Sequence, residues 1–527
     1  MRLLDRAAEW AVAWAIGISV RATARLISAA AKLLDRAGIR VTGLTDAASA
    51  RLVILAALGV FFAADDQTSV VAVLPKMIEG IGLPQDQFFR AAWIVNGYIL
   101  GYVVAMPLMG RISDIFGHGR VFAAAMGLFV LGSVWVALST DLTMLVVARG
   151  VQAIGGGAVV PVAMAIVADT MPAGRRAFGL GAMAAASEAG GLVGPIWGGT
   201  IAELLGWRGV FWTNVPMCLP IALATWRQSR GASARLRWRI DLPGAALLGG
   251  SLVCLTVALT DDPIEPRATA ATALLYGGAA LLFGLFVVWQ SRAPEPLVSL
   301  AFFRRMPLSA GFLTNGLVGG ALIVAMVNIP LFTNVILDGS AIDGGLNLMR
   351  LTVALPIGAL VGGHLSSRLG FGRTAALAVV LAGFGFLTMS RWSESPGFIP
   401  FTLPLLVAGF GLGLVIAPVN TAVLDQVGEG QRATVSSLLT VVRLIGALVG
   451  VALLTTRGLG GFYAEAGLIP LDDPRYTEVL RGLEVSAFRD TFFATAVLCF
   501  LTAIPALLLG GDTDTRPGVQ LRPGDLT

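Results

Sequence analysis

The sequence predicts an all-α polytopic membrane protein with fourteen transmembrane helices, arranged as two six-helix bundles with two spans inserted between them. Three observations support this fold class. The 527 residues are 56% hydrophobic and only 13% charged, and the mean hydropathy is +0.81. The apolar residues fall in runs of about 20, the length that crosses a hydrocarbon core of about 30 Å as an α-helix. A segment of the first half also recurs in the second half.

Fourteen apolar runs are separated by short polar breaks. Ordinary soluble domains carry about 25% charged residues, so the composition excludes a soluble protein. An even number of spans places both termini on the same side of the membrane. The runs are 52–75, 91–110, 121–139, 143–168, 178–200, 210–227, 242–260, 271–290, 308–332, 347–367, 374–392, 400–424, 433–456 and 490–510.

The arginines predict the orientation, because cytoplasmic loops of membrane proteins carry the excess of basic residues. The short loops after odd-numbered spans hold few basic residues. We therefore expect a multi-pass protein of a bacterial plasma (inner) membrane with both termini in the cytoplasm. The loops after even-numbered spans hold Arg111, Arg120, Arg175, Arg176, Arg227, Arg230, Arg235, Arg237, Arg239, Arg292, Arg304, Arg305, Arg368, Arg373 and Arg432.

The segment before the first span has an amphipathic pattern. Arg21, Arg25, Lys32 and Arg36 share one face of a helix with 3.6 residues per turn, and apolar residues occupy the other face. This pattern predicts a helix at the membrane interface. A signal peptide with its apolar stretch at 7–20 is the alternative, and we favour it less because no convincing cleavage site follows.

An internal repeat predicts a duplicated chain. Residues 110–120 and 363–373 are identical at five of eleven positions, 253 residues apart. Gly156, Pro161 and Arg175 recur 257 residues later, in the same order. Equal numbers of spans in the two repeats make them parallel, related by an axis along the membrane normal.

The repeat divides the chain into five parts. We expect the two bundles to rock about a substrate site near the bilayer midplane. The long loop of the second bundle should form an ordered external feature, since structureless loops of that length are uncommon. The parts are a cytoplasmic interfacial helix at 1–50, a first bundle at 51–228, a linker with two extra spans at 229–306, a second bundle at 307–510 with the external loop 457–489, and a cytoplasmic tail at 511–527.

Several segments resemble the signatures of one transporter family, the major facilitator superfamily. Residues 110–120 resemble the loop signature between its second and third spans, and Arg149 and Gln152 fall in a segment that resembles its fourth-span signature. Residues 190–199 resemble the fifth-span motif of its exporters. The matching residues of the loop and exporter motifs are Gly110, Asp114, Gly117, Arg120, Gly190, Gly194, Pro195, Gly198 and Gly199.

Two further segments point to a branch within that superfamily. Residues 66–75 and 207–216 are similar to the first-span motif and the sixth-span entry of the fourteen-spanner drug:proton antiporters. Residues 93–110 and 185–188 look like the mycobacterial members that export triacylglycerol and drugs together with a periplasmic lipoprotein. The enlarged external loop fits those members, whereas the extension before the first span departs from them.

The resemblance implies a proton-coupled exporter of lipophilic or amphipathic compounds, either drugs or lipids. Such a protein is a secondary transporter and not an enzyme. It uses the proton gradient and no cofactor, works as a monomer among membrane lipids, and binds no nucleic acid. The alternatives are triacylglycerol or lipid transport to the outer leaflet or envelope with a lipoprotein, uptake of a polar nutrient, and a non-transporting membrane scaffold.

Three charged residues inside spans are the candidates for proton coupling. A charge at the bilayer centre costs at least about 2.5 kcal/mol, so Asp66, with Asp65 beside it, should face a partner or a cavity. A water-filled external mouth around both aspartates is the alternative. Glu188 is predicted to be a buried carboxyl that takes and releases a proton, or a structural hydrogen-bonding group. Arg443 is predicted to pair with Asp66 or Glu188 across the bundle interface, or to form a static ion pair.

The remaining motif residues suggest support for that chemistry. Arg149 and Gln152 share a helix face, and the resemblance implies that they organise the proton pathway, with a structural network as the alternative. The stripe of Gly190, Gly194 and Gly198 predicts close helix contact, and Pro195 predicts a bend.

The loop motif predicts a cytoplasmic latch between Asp114 and Arg120, while His118 and His364 are expected to be solvated. The sequence shows no nucleophile elbow, phosphate loop or metal-binding cluster.

Overall fold

In the computed structural model, residues 47–84, 90–229, 241–260, 267–294, 296–427, 432–455, 462, 465 and 476–510 are described. Residues 1–46, the tail at 511–527 and much of the external loop lie outside these ranges, and so do the predictions made for them. Fourteen long helices in the described part confirm the predicted fold class. They are α1 Ala47–Gly80, α2 Ala92–Phe116, α3 His118–Ala137, α4 Leu142–Thr170, α5 Ala173–Leu205, α6 Trp207–Gln228, α7 Leu242–Leu259, α8 Thr269–Gln290, α9 Met306–Val335, α10 Ala341–Leu369, α11 Phe371–Met389, α12 Phe398–Leu424, α13 Arg432–Gly450 and α14 Tyr476–Leu507.

The helix pairings repeat between the two halves. In the first half α1 packs on α5, α2 and α3 pack on α4, and α3 packs on α6. In the second half α9 packs on α13, α10 and α11 pack on α12, and α11 packs on α14. Each pair in one half therefore has its counterpart eight helices later. This correspondence supports the parallel repeat predicted from residues 110–120 and 363–373.

Three helix pairs related by the repeat join the two bundles, namely α5 with α10, α2 with α13, and α1 with α9, and α1 also contacts α10. The repeat relates α5 to α13 and α10 to α2, so it converts the α5–α10 pair into the α2–α13 pair. It also relates α1 to α9, so the α1–α9 pair maps onto itself, as a twofold axis between the bundles requires. Helices α7 and α8 pack on each other, and α7 also contacts α2. The inserted pair therefore lies mainly against α2 of the first bundle, and α7 also touches α13 of the second.

The two ends of the molecule are distinguished by their turns. The arginine-rich end is the one where α2 turns into α3 and α10 turns into α11. The opposite end is the one where α1 and α5 finish and α10 begins. At the arginine-rich end Gly117 (φ 92°) and Gly370 (φ 82°) occupy equivalent positions of the repeat. Both have the left-handed backbone that favours glycine, so the identity between the two loop motifs has a conformational cause.

Twelve of the described helices are long and apolar enough to cross a membrane. The two that fall short are α5, which is rich in glycine, and α6, which carries Arg208, Asn214 and two prolines. Helix α5 packs against α1 and α10, and α6 packs against α3 and α1, so Asn214 of α6 is buried among protein groups.

The last helix is longer than its apolar run predicts. Helix α14 begins at Tyr476, although the run begins at 490, so residues 476–489 of the predicted external loop are helical. The cause is composition, because this first part carries Arg481, Glu484 and Arg489, and hydropathy detects only the apolar part of a helix. Arg481 Nη2 lies 2.9 Å from Asp338 Oδ2 and ties this extension to the turn before α10.

A carboxylate fastens the inserted pair at the arginine-rich end. Asp241 caps α7 through the Gly244 amide at 2.9 Å, and accepts hydrogen bonds from Trp289 and Gln290 of α8 at 2.7 Å each. Burial opposes ionisation, but the hydrogen bonds from Gln290, Trp289 and the backbone prevail and lower the pKa of Asp241 below its usual value. The two inserted helices therefore share one ionised acceptor.

The loop motif gives a matched test of backbone strain. A Cβ at Gly117 or at Gly110 would meet no atom within 4 Å, so the two sites differ in backbone conformation and not in space. We expect Gly117→Ala to cost about 1–3 kcal/mol, because its φ is 92°. Helical Gly110→Ala should be neutral or slightly stabilising. Thermal unfolding of the purified variants in detergent measures both. Equal melting temperatures for the two variants would contradict this account.

Candidate functional site

A buried polar network surrounds Asp66 in the middle of α1. Its Oδ2 accepts a hydrogen bond from Arg149 Nη1 at 2.9 Å. Its Oδ1 accepts from Gln152 Nε2 at 3.0 Å and from Asn214 Nδ2 at 2.7 Å. Asp66 and Arg149 are each 1% exposed. The structure therefore brings Asp66, Arg149 and Gln152 together, and it buries both aspartates instead of placing them in the alternative external mouth.

Ser133 of α3 completes the network. Its Oγ accepts from Gln152 Nε2 at 2.8 Å and from Asn214 Nδ2 at 3.2 Å, and donates to the Phe129 carbonyl at 2.9 Å. Gly132 permits this approach, because a Cβ there would lie 2.6 Å from the Gln152 backbone nitrogen. Helices α1, α3, α4 and α6 thus converge on the carboxyl group of Asp66.

Aromatic rings enclose the Arg149 guanidinium. Its Cζ lies 4.0 Å from the centroid of the Tyr98 ring and 5.8 Å from that of Phe211. The Tyr98 hydroxyl and Arg149 Nε are buried without a hydrogen-bond partner among the described residues. A cation that does not deprotonate is therefore balanced by one carboxylate and by π-faces, a tightly constrained arrangement.

The glycine stripe of α5 makes a close helix contact, and its partner is α1 of the same bundle. A Cβ on Gly194 would lie 2.6 Å from the Asp65 carbonyl oxygen, and one on Gly198 would lie 2.7 Å from the Ser69 carbonyl oxygen. Gly190 meets α1 in the same way. Side chains at these positions would separate the two helices, so the stripe sets how closely α5 lies beside the Asp66 network.

The other face of α5 closes the opposite end against α10. A Cβ on Gly199 would lie 2.6 Å from the Ala341 carbonyl oxygen, and the Pro195 carbonyl approaches Gly345. Pro195 lies within the helix, where it frees a backbone carbonyl from the usual pairing. One helix of the first bundle therefore contacts its own bundle on one side and the second bundle on the other.

An ion pair reinforces this contact. Lys76 Nζ lies 2.8 Å from Glu203 Oε1, and the same oxygen accepts from the backbone nitrogen of Ala341 at 3.0 Å. The carboxylate thus lies at the first residue of α10, where a helix N-terminus favours negative charge. We call Lys76, Glu203 and Ala341 the opposite-end latch, since they join α1, α5 and α10.

Glu188 is placed differently from the prediction, because its side chain is exposed and not buried. Glu188 lies seven residues before Pro195 and eleven before Gly199, so the three share one face of α5. Helix α10 covers this face at Pro195 and Gly199, whereas the side chain of Glu188 on the same face is exposed. The glutamate therefore faces the space between the bundles, nearer the arginine-rich end.

Arg443 pairs with neither predicted acid in this conformation. Asp66 is engaged by Arg149, and no described contact links Arg443 to Glu188. Arg443 lies half-buried on α13 and packs against Gly319 of α9. Helix α13, which carries Arg443, meets the first bundle at α2 and not at α5.

The loop-motif latch also differs from the prediction. Among the contacts given for the described residues, Asp114 Oδ1 lies 3.8 Å from His118 Nε2, and none joins Asp114 to Arg120. His118 Nε2 also lies 3.3 Å from Asp169 Oδ2, and Nδ1 lies 3.0 Å from Ser113 Oγ. His118 is therefore a bridging residue and not a solvated one. It begins α3 one residue after Gly117, and this sharp turn returns its ring towards α2.

The comparisons with known proteins agree with this geometry. A sequence profile of the Major Facilitator Superfamily matches residues 56–451. The chain belongs to this superfamily. It is a multi-pass membrane transporter and not an enzyme. The more specific assignment to the drug:proton antiporter branch stays a prediction.

Mycobacterial relatives cover most of the chain. A triacylglyceride transporter of Mycobacteroides abscessus is 36% identical over 433 residues, which cover 80% of this chain and 84% of that protein. One of Mycolicibacterium smegmatis is 33% identical over 486 residues, 86% of each chain. Among solved structures, the inward-facing, unoccupied bacterial homologue of the human lysosomal transporter Spinster superposes with a TM-score of 0.66 at 17% identity, covering 88% of this chain and 97% of that one. That likeness supports the fold alone.

Sequence reasoning missed several residues of the site. Asn214 lies within the segment 207–216, whose resemblance gives it no role, and Ser133, Lys76 and Glu203 belong to no sequence motif. Each is an ordinary residue of a helix whose importance arises from a partner far away in the chain. One feature of the sequence could have pointed to Lys76 and Glu203. They carry opposite charges and closely follow two apolar runs, 52–75 and 178–200, whose loops lie at the end of the molecule that is poor in basic residues.

The buried ion pair gives a testable energetic prediction. We expect Arg149→Met to cost about 3–5 kcal/mol, because it leaves Asp66 buried without its cation. The double variant Asp66→Asn with Arg149→Met should lose less than the sum of the single losses, with a coupling energy of roughly 0.5–3 kcal/mol. Denaturation of the purified variants measures the cycle. The exposed Arg227→Met is the matched control and should change stability little. Additive losses would contradict a direct Asp66–Arg149 interaction.

Proposed function

We propose that the protein is a proton-driven exporter of lipophilic compounds that works by alternating access, with triacylglycerides as the favoured substrate class. The observation that carries the proposal is the position of Glu188, an acid exposed between the bundles on the helix that also closes the opposite end. An acid placed there can exchange a proton with water while its helix changes contacts with α10. Such an acid links protonation to the conformation of the transporter.

The orientation follows from the arginines. If the arginine-rich end faces the cytoplasm, the conformation described is closed to the outside and opens Glu188 towards the inside. Substrate would enter from the inner side, and the opposite-end latch would have to release before it leaves. Proton binding from the outside and release to the inside would then drive export.

The substrate class rests on the relatives. The similarity to the two mycobacterial triacylglyceride transporters spans most of the chain, which favours an apolar lipid over a polar nutrient. Export of amphipathic drugs is the second candidate, and it is supported by the resemblance of residues 66–75 to drug:proton antiporters. Because triacylglycerides are insoluble in water, a lipoprotein partner at the external loop would bind the exported lipid.

The role of Glu188 is tested in proteoliposomes that carry an imposed pH gradient. A fluorescent triacylglyceride analogue and a cationic dye are offered separately, and proton flux is followed with a pH indicator. We expect Glu188→Gln to lower substrate-dependent proton flux at least about tenfold, equivalent to about 1.4 kcal/mol. The matched control is Glu79→Gln, which removes the same charge from an exposed site at the end of α1.

The two substrates separate the two candidates. Flux with the lipid analogue alone would support a lipid exporter, and flux with the dye alone a drug exporter. Proton flux in Glu188→Gln equal to that in Glu79→Gln would refute the role of Glu188. Wild-type protein without any substrate-dependent proton flux would refute proton coupling itself.

A further inference from the structure

A second aspartate of α1 lies in the seam between α1 and α5. Asp65 is 4% exposed and precedes Asp66 in the middle of α1. Neighbouring residues of a helix point about 100° apart. Asp66 points to α4 and α6, where its partners are, whereas Asp65 lies on the side of the α5 glycines. The two acids therefore belong to different helix contacts.

Asp66 is poorly suited to carry a proton in this conformation. Three donors bind its oxygens, and one of them is the permanent cation Arg149. Protonation of Asp66 would remove the charge that balances a buried guanidinium, at a cost of several kcal/mol. Asp66 is better described as the fixed counter-charge of Arg149.

Asp65 has no cation within ion-pair distance among the described residues. Its hydrogen-bond contact is with Ser69, whose Oγ lies 3.5 Å from Asp65 Oδ2. Ser69 Oγ also lies 2.8 Å from the Gly194 carbonyl oxygen, which can only accept. A hydroxyl has one hydrogen, and Ser69 directs it along the much shorter contact to the Gly194 carbonyl. At 3.5 Å Ser69 gives Asp65 at most a weak hydrogen bond, so no strong donor stabilises a negative charge on this carboxyl.

Burial and the nearby charges also favour the neutral form of Asp65. A buried carboxylate is destabilised by loss of hydration and by a neighbouring negative charge, and Asp66 supplies that charge. From α6 the facing titratable group is the buried thiol of Cys218, which brings no positive charge. From α5 the nearest titratable residue is Glu188, which lies two residues before Gly190 and therefore on the far side of that helix. From α4, Arg149 is directed at Asp66.

We propose that Asp65 is a proton-carrying residue of the transport cycle, buried in the α1–α5 seam and separate from both the Asp66 network and Glu188. This inference rests on the proposed proton coupling and assigns one proton site within it. With the seam closed, the proton is bonded to Asp65 Oδ2. When water reaches the seam from the arginine-rich end, that O–H bond breaks and the proton passes to this water and leaves on the inner side. The hydrated carboxylate then favours the open seam.

The seam connects this proton to the closure of the transporter. The Asp65 carbonyl touches Gly194 on one face of α5, and the other face of α5 touches α10 at Pro195 and Gly199. An ionised Asp65 would require water in the seam and would push α5 away from α1. Since α5 also holds Glu203 of the opposite-end latch, such a shift would loosen the contact with Ala341.

Infrared spectroscopy of the purified protein at neutral pH tests where the proton is held, without requiring transport. We expect the carbonyl stretch of one protonated buried carboxyl in the wild type. That band should be lost in Asp65→Asn and kept in Asp66→Asn, Glu188→Gln and Glu79→Gln. Asparagine resembles the protonated acid in size and charge, so Asp65→Asn should fold. A band unchanged in Asp65→Asn, or lost in Asp66→Asn, would overturn the assignment.

A transport assay in phosphatidylethanolamine–phosphatidylglycerol vesicles tests whether that proton is used. We expect Asp65→Asn to keep exchange of a labelled triacylglyceride across the membrane while losing its accumulation driven by a pH gradient. Full gradient-driven accumulation by Asp65→Asn would overturn the carrier role. A wild type that moves no protons with substrate would refute the proposed function and the carrier role together, and the infrared band would still decide whether Asp65 holds a proton.

Discussion

The close contact between α1 and α5 is the constraint on which the rest of the structure depends. Gly194 and Gly198 bring the backbones so near that neither lipid nor water fits between them at these positions. Polar groups in the seam must therefore be satisfied within it, as Ser69 is by the Gly194 carbonyl. The same helix α5 meets α10 of the second bundle on its other face. A change in the seam therefore cannot remain local, because α5 carries it to the interface between the bundles.

The first bundle separates two kinds of ionisable group. The Asp66–Arg149 pair is internally balanced and hydrogen-bonded through Gln152, Asn214 and Ser133, so it holds α1, α3, α4 and α6 together as one unit. Breaking it costs more than a thermal fluctuation supplies. Glu188 and Asp65 lie outside this unit, one exposed between the bundles and one in the seam beside α5. A rigid unit with titratable groups at its moving edge is the arrangement that rocking of two bundles requires.

The sequence predicted the parts of this arrangement whose cause is local. Fourteen apolar runs, the repeated turn at Gly117 and Gly370, and the glycine stripe all follow from hydropathy, backbone conformation and helical spacing. The cost of charge in a membrane predicted a partner or a cavity for Asp66, but the predicted partner was Arg443 and the structure places Arg149 there. The partners could not be predicted in the same way, because Asp66 and Asn214, or Lys76 and Glu203, meet only after helices far apart in sequence have packed. Glu188 was predicted to be buried because its neighbours are apolar, but exposure depends on where α10 diverges from α5. The predicted pairing of Asp114 with Arg120 was wrong because the turn brings His118 back to α2 first.

The central claim is that protonation within the α1–α5 seam controls the contact of α5 with α10. The most direct measurement is the distance between spin labels at the exposed residues Leu204 of α5 and Leu346 of α10, in a variant without the native cysteines, as a function of pH. The account predicts a short distance at acidic pH that shifts to a longer one as the pH rises, and a short distance at every pH in Asp65→Asn. A wild-type distance that does not change with pH, or an Asp65→Asn variant that shifts as the wild type does, would contradict it.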